Sequence, residues 1–395
     1  MTISDHTTPV HTTVAVVGGG VVGTAIAHTL SHRGVDVVLL EADSDLGYAA
    51  SGTNSGILHT GFDSTPGELE TELILRSVPL REKIFDALGV PIVRCGAVLM
   101  PRGEDDAQTI EELAANAARN GVDVHIRPDD GALEVPGESL TDPVAFTRAL
   151  GASARAAGVT ILLDSPVVGI DESADALVVH TAAGSSITAD AVVNAGGLHA
   201  DDIARMVGDD TFEIYPRTGE FLVFDQLRAH RLEQILLPVP TKRTKGVLVF
   251  PTVDGHVIAG PTAVDHEDKA DWSVRPQARE EILAKAVSQY PALAGRDPVA
   301  SHAGLRPAGR NCNYVIGPSA ACGRMVNVAA IRSTGLSASL GIAAYVSDLL
   351  AEIGIDLGDE LPPTRVTSAP ASSGATATTP WWQRTARHVA QHLTH

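Results

Sequence analysis

The chain has 395 residues, 44% of them hydrophobic, with 48 acidic against 29 basic side chains and a formal net charge of -19. Length and apolar content call for about two to three domains around a sizeable core. The acidity excludes nucleic acid or an anionic membrane as the main partner, because both select basic faces. An anionic ligand has to meet locally placed arginines.

The first twelve residues, MTISDHTTPVHT, carry no basic segment leading into an apolar core. No later apolar run approaches the ~20 residues of a membrane helix. A cytoplasmic location with no transmembrane segment is therefore expected. Val14 to Val17 reads as a buried strand that runs into Gly18-Gly19-Gly20-Val21-Val22-Gly23, a G-x-G-x-x-G. Small and apolar residues follow at helical spacing, Gly34 closes that helix, and Val35 to Leu40 forms a second strand. This βαβ unit has the features of a dinucleotide site. Gly18 permits the turn, Gly20 lets the backbone approach a pyrophosphate, and Gly23 lets the helix lie close on the sheet. The N-H groups at the helix start receive the phosphates. Glu41, at the end of the second strand, stands where an acid accepts from an adenosine ribose.

A glycine-, serine- and threonine-rich loop follows from Tyr48, turning helical only after Pro66. Ser51, Asn54, Ser55 and Gly56 are its candidate ligand-facing donors, and His59 its candidate reactive side chain. From Gly89 to about Pro136 the chain makes an excursion: a strand at Gly96 to Met100, an acidic helix from Asp106 to Asn120, and a strand-like piece at Val122 to Ile126. Asp142-Pro143 then opens a helix through Ala157. A strand at Val159 to Leu163 precedes a meander of Val167 to Ile170, Ala176 to Thr181 and Ser186 to Thr188. Ala191 to Gly197 is a further buried strand, expected to bring Ala195 and Gly196 close to the dinucleotide. Tyr215 to Pro298 reads as antiparallel strands with a helix from Arg279 to Tyr290. Lys242, Arg243 and Lys245, its basic cluster, are read as solvated loop charges. Cofactor-like sequence resumes at Ala303 to Pro307, continues through a strand at Met325 to Ala329, and ends in a small-residue helix from Ser337 to about Leu350, opened by Gly335. Thr367 to Pro380 has linker composition. The closing WWQRTARHVAQHLTH is a short helix that either docks on its own domain or offers Trp381 and Trp382 to a partner subunit or sister copy. Cys95, Cys312 and Cys322 are odd in number and lack zinc spacing, so they are read as reduced thiols with no metal site.

Four stretches together resemble a known family, the FAD-dependent oxidoreductases of the D-amino-acid oxidase and glycerol-3-phosphate dehydrogenase type. They are VVGGGVVGTAIAHTL with Glu41, SGTNSGILHTGFDSTPGELE, VVNAGGLHADDIA, and GLRPAGRNCNYVIG followed by IRSTGLSASLGIAAYV. The pattern N-S-G-x-x-H-x-G followed by P-G is similar to the anaerobic glycerol-3-phosphate dehydrogenase A-subunit and L-2-hydroxyglutarate oxidase branches. The resemblance covers about Val14 to Leu350. It implies an α/β fold, a Rossmann-like FAD-binding domain with an inserted α+β antiparallel-sheet substrate domain. The FAD-binding domain would comprise 1-88, 137-214 and 299-360, and the substrate domain 89-136 and 215-298. Residues 361-380 would be a linker and 381-395 a tail helix. It further implies noncovalent FAD held by Gly18, Gly20, Val22, Gly23, Glu41, Ser51, Asn54, Ser55, Gly56, Val167, Ala195, Gly196, Gly304, Arg306, Thr334, Gly335 and Leu336. Cys312 lacks the surroundings of a covalent flavin site.

The implied reaction is oxidation of a secondary alcohol beside a carboxylate or phosphate, with hydride passing to flavin N5. His59 is the candidate base, with His302 and His256 as rivals. Arg306 is the candidate anion grip, or else a structural ion pair. Arg332 either joins it or stabilises the reduced flavin. Two positions depart from close relatives: acidic Leu69-Glu70-Thr71-Glu72-Leu73 replaces a basic segment, and Arg332 replaces a glutamate. Oxidation of an amine, or a noncatalytic electron-carrying subunit, are the alternatives. The electron acceptor, whether oxygen, quinone or protein, stays open.

Overall fold

A computed structural model of the protein describes residues 10–173, 175–227, 230–240, 246–366 and 380–383. Its organising layer is a parallel sheet in the order Met325–Ala329, Ser186–Asn194, Val10–Val17, Val37–Leu40, Thr160–Leu162. Residues 14–17, 37–40, 191–194 and 325–329 are buried on both faces and Val-, Ala- and Leu-rich rather than alternating, as a covered parallel sheet requires. The segments read as Ser186 to Thr188 and Ala191 onwards are one nine-residue strand. Its first half pairs antiparallel with Leu177–Thr181 and its second half pairs parallel with Met325–Ala329. One strand thus joins the exposed meander to the buried sheet.

Helices cover one face. Val21–Ser31 packs against Pro143–Ala156 and the closing helix Gly335–Glu352, which in turn packs on Leu69–Leu88. The last contact is backbone to backbone: a Cβ on Gly341 would stand 2.1 Å from the Leu73 carbonyl oxygen. Small residues in the closing helix are what permit it. Asp142 caps its helix as expected, one carboxylate oxygen accepting from the N-H groups of Val144 and Ala145 at 2.9 and 2.8 Å.

The second sheet gathers three distant parts of the chain: Ala97–Leu99, His125–Ile126 and Leu133–Val135; the strands from Ile214–Phe224 to Val264–Asp265; and Ala300–Gly309. The last is a correction. The 299-360 segment was assigned to the FAD-binding unit, but Ala300–Gly309 pairs with Ile214–Phe224 over ten residue pairs in the substrate sheet. A small third sheet, Ile57–Leu58 with Ser139–Thr141 and Ile92–Val93, links the two units.

Residues 361–366, read as the start of a linker, are fastened to the end of the first helix. The Leu361 N-H donates to the His32 carbonyl and the Thr364 N-H to His32 Nε2. Trp381 and Trp382 are 1% and 3% exposed and sit in the core of the substrate unit. They dock on their own chain, so neither ring is available to a partner. The remainder of the expected tail helix, most of the linker and the Lys242 cluster lie outside the described residues. No helix among the described residues is long and apolar enough to cross a membrane.

His302 lies beneath that lid, stacked on Phe221 at 5.0 Å and edge-on to Trp381 at 5.6 Å. Neither ring nitrogen has a hydrogen-bond partner among the described residues, and burial pushes its pKa down to about 4. The folded state therefore binds fewer protons here than the unfolded chain between about pH 6.5 and 4, so stability falls as pH falls through that window. His302→Phe should abolish this part of the acid sensitivity. Between pH 7 and 5 the wild type should lose about 2 kcal/mol more than the variant, measurable by denaturant unfolding at the two pH values.

Candidate dinucleotide and substrate site

The first strand delivers Gly18 to the C-terminal edge of the parallel sheet. Gly18 has φ +109°, and a Cβ there would lie 2.4 Å from the Ala195 carbonyl oxygen. Gly23 is tighter still: its Cβ would stand 2.0 Å from the Gly18 carbonyl oxygen. The first helix can approach the sheet edge only because both positions lack side chains.

Above this edge is a cavity of about 710 Å³. The N-termini of two helices, at Val21 and at Gly335, open onto it and give it a positive end. Of the expected cofactor residues, Gly18, Gly20, Val22, Gly23, Glu41, Ser51, Asn54, Val167, Ala195, Gly196, Gly335 and Leu336 line it, with Arg332. Five expected residues lie outside its lining: Arg306, at the seam between the two units, and four others. Ser55 accepts from the Ile57 N-H, and Gly56 abuts the Thr141 carbonyl, both shaping the loop. Thr334 donates to Glu70 and bonds the Tyr314 hydroxyl. Gly304 faces Thr53, where a Cβ would come within 2.7 Å of the hydroxyl. These four act on the walls rather than inside the cavity. The acidic segment after Pro66 has its use here, since Glu70 also accepts from Asn313.

Ser51 Oγ accepts from the Val21 N-H at 2.9 Å, holding the loop against the helix start. Glu41 accepts from the N-H groups of Gly19 and Asp43 at 2.6 and 2.8 Å, and burial pushes its pKa up to about 7. One wall was missed from sequence: Lys269 and Trp272, from a loop of the substrate unit. Lys269 Nζ donates to Asp201 and Asp202 at 2.7 and 3.0 Å, pinning that loop over the cavity.

At the seam between the units, the substrate sheet places Arg217 directly opposite Arg306. Like charges in that register repel, and Arg306 is a poorly compensated cation. Its guanidinium lies on Gly219, where a Cβ would clash at 2.3 Å, and its bonds to the Arg217 and Thr262 carbonyls are 3.4 Å long. Burial lowers its pKa to about 10, the nearby Arg217 and Arg332 adding to the effect and Asp265 opposing it. Arg217 Nε also lies 3.5 Å from Asp265 Oδ1, so three arginines share the neighbourhood of one acid. Arg217 carried no local signal; its pairing with Arg306 spans 89 residues.

His59 follows the strand Ile57–Leu58 and leans on Glu138, its Nδ1 at 2.9 Å from Oε2. The Arg81 guanidinium donates to the His59 carbonyl at 2.6 Å. The rival histidines are elsewhere: His302 is enclosed by Phe221 and Trp381, and His256 bonds Asp254 at 2.8 Å in a turn beneath Trp382.

A parallel sheet with a glycine turn, two helix N-termini over one elongated cavity and an arginine-lined seam to a second sheet defines a two-unit dinucleotide-dependent oxidoreductase. The chain belongs to the DAO family, FAD dependent oxidoreductase, whose model matches residues 13–349. It is 31% identical to the glycerol 3-phosphate dehydrogenase of Caloramator mitchellensis over 357 residues, 86% of this chain and 74% of that protein. It is 26% identical to the L-2-hydroxyglutarate dehydrogenase of Escherichia coli K12 over 63% of each chain. Its fold matches that of dithionite-reduced L-alpha-glycerophosphate oxidase from Mycoplasma pneumoniae with FAD bound, with a TM-score of 0.84, 25% identity, and 91% and 99% of the two chains covered. The cavity suits the family's cofactor: side-chain-free approaches and helix N-termini for a pyrophosphate, and a half-buried acid at the end of the second strand for a ribose.

Glu41 provides a test. Its folded pKa of about 7 exceeds the unfolded value near 4.5, so the flavin-free protein loses stability as pH rises through that interval. Glu41→Gln should raise the melting temperature of the flavin-free protein at pH 8 while weakening FAD binding at least tenfold. Titration of FAD against the fluorescence of Trp272 in the cavity wall checks the second effect.

Proposed function

We propose that the protein oxidises the secondary alcohol of a small anionic 2-hydroxy acid or polyol phosphate to the corresponding ketone. The observation that carries this reading is the convergence of Arg217, Arg306 and Arg332 at the seam where the substrate unit meets the FAD cavity. FAD, when bound, supplies the hydride acceptor.

The chain's own residues then have two tasks. The first is to hold the substrate by its charge. Arg306 is half-buried and its hydrogen bonds to protein are long, so a carboxylate or phosphate gains shorter, charge-assisted bonds from its fork. Arg217, across the strand pair, relieves its repulsion with Arg306 when an anion enters. The second task is to receive the hydroxyl proton as the carbonyl forms. A neutral imidazole suits this near pH 7, and His59 is the histidine of the flavin-side loop whose ring is oriented by a carboxylate. Relatives acting on glycerol 3-phosphate and L-2-hydroxyglutarate support both parts of the reading, since each of those substrates carries a hydroxyl and an anionic group.

The purified flavoprotein should lose its oxidised-flavin absorbance near ~450 nm under anaerobic conditions when glycerol 3-phosphate, L-2-hydroxyglutarate or a related hydroxy acid is added. Arg306→Ala should raise the substrate concentration for half-maximal reduction by about 100-fold or more. His59→Gln should slow reduction by about 10²–10⁴-fold with binding little changed. Bleaching by amines or amino acids alone would overturn the alcohol reading.

A further inference from the structure

Glu138 occupies a turn between Leu133–Val135 and Ser139–Thr141, fully buried. It reaches His59 because Ile57–Leu58 pairs antiparallel with Ser139–Thr141; Leu58 stands opposite Ser139, so the next residues outward are His59 and Glu138. A buried carboxylate needs its oxygens satisfied, and each oxygen here has a separate duty. Oε1 accepts from the Thr60 N-H at 2.7 Å and the Thr60 hydroxyl at 2.9 Å, while Oε2 lies 2.9 Å from His59 Nδ1. An ionised carboxylate only accepts, so Nδ1 must carry the proton and Nε2 becomes the basic nitrogen.

We propose that Glu138 is the positioning residue of the reaction, fixing the tautomer and ring plane of His59 and facing the imidazolium that forms when Nε2 takes the substrate's hydroxyl proton. This rests on His59 being the base. In the step itself the substrate carbon gives a hydride to the flavin and its hydroxyl gives a proton to Nε2, leaving a carbonyl; Glu138 stays ionised throughout. Charged and titratable groups near the pair include Arg81, whose guanidinium holds the His59 carbonyl, Glu82 beside Arg81, and Cys95, which feels the Glu138 charge. Arg81 opposes a cation on His59, and Glu138 favours one.

The division of labour between the oxygens makes a specific variant informative. In Glu138→Gln the single carbonyl oxygen is drawn to the Thr60 N-H and hydroxyl, two donors, so the amide nitrogen turns toward Nδ1. Nδ1 must then accept, the proton moves to Nε2, and the base is lost while shape is kept.

Anaerobic stopped-flow reduction of the holoenzyme by the substrate that bleaches it tests this. For E138Q the limiting rate should fall by about 10²–10⁴-fold, the substrate dissociation constant should stay within about threefold, and the rise of rate with pH expected of the wild type should flatten. The double variant H59Q/E138Q should be no slower than H59Q, because both remove one function. E138D, which keeps a carboxylate toward both partners, should recover most of the rate. E138Q within about threefold of wild type with an unchanged pH profile, or losses that multiply in the double variant, would overturn the proposal. If E138Q does not hold flavin, E138D decides: a loss as large as that of H59Q overturns the proposal, and a rate within about tenfold of wild type with the pH profile kept supports it. H59Q as fast as wild type would instead remove the base assignment itself.

Discussion

Everything in this molecule depends on a close approach of backbone to backbone at the top of the parallel sheet. Gly23 lies against the Gly18 carbonyl and Gly18 against the Ala195 carbonyl, so the first helix starts almost on the sheet edge with its N-H groups uncovered. A methyl group at either place would push the helix away and turn its dipole from the cavity. The closing helix repeats the device on its flank, where Gly341 meets Leu73 and lets its own N-terminus converge on the same space. Two helix ends pointing into one cavity are costly without a ligand, and an anionic dinucleotide relieves both at once.

Around that centre the molecule keeps several charges away from water. Arg81 and Glu138 are buried and Glu41 and Arg306 half-buried; Glu138 is satisfied by Thr60 and His59, while Arg306 has only long bonds to carbonyls. Buried charges of this kind seldom add stability. Their distribution follows function: Glu41 at the nucleotide end, Arg306 at the seam, and Glu138 behind the reactive loop. His302 is the exception, a buried ring enclosed by Phe221 and Trp381 away from that cavity's lining.

The dinucleotide unit was legible because its signals are local. Strand, glycines, helix and terminal acid fall within thirty residues, and each glycine has one steric reason. Asp142-Pro143 was legible for the same reason. What escaped was produced by pairing between distant segments. Glu138 meets His59 across 79 residues and Arg217 meets Arg306 across 89, and neither acid nor arginine stands in a sequence context that differs from a surface turn or strand. Ala300–Gly309 reads as a ligand-binding loop because of its Gly, Ala, Arg and Pro, whereas Gly304 serves the approach of Thr53 and Gly219, on the partner strand, the crossing of Arg306. Lys269 and Trp272 come from a loop with no periodicity at all.

The walls of the cavity come from opposite ends of the chain, Val17 to Gly23 on one side and Val328 to Leu336 on the other. On a ribosome these are made far apart in time: roughly 300 residues at about 5–20 residues per second separate them by about 15–60 s. Through that interval the nascent first helix and its strands have no closing helix, and their apolar faces lack a neighbour. Flavin capture is therefore a step that waits for the closing helix, and retention of the cofactor reports that Gly335–Glu352 has been made.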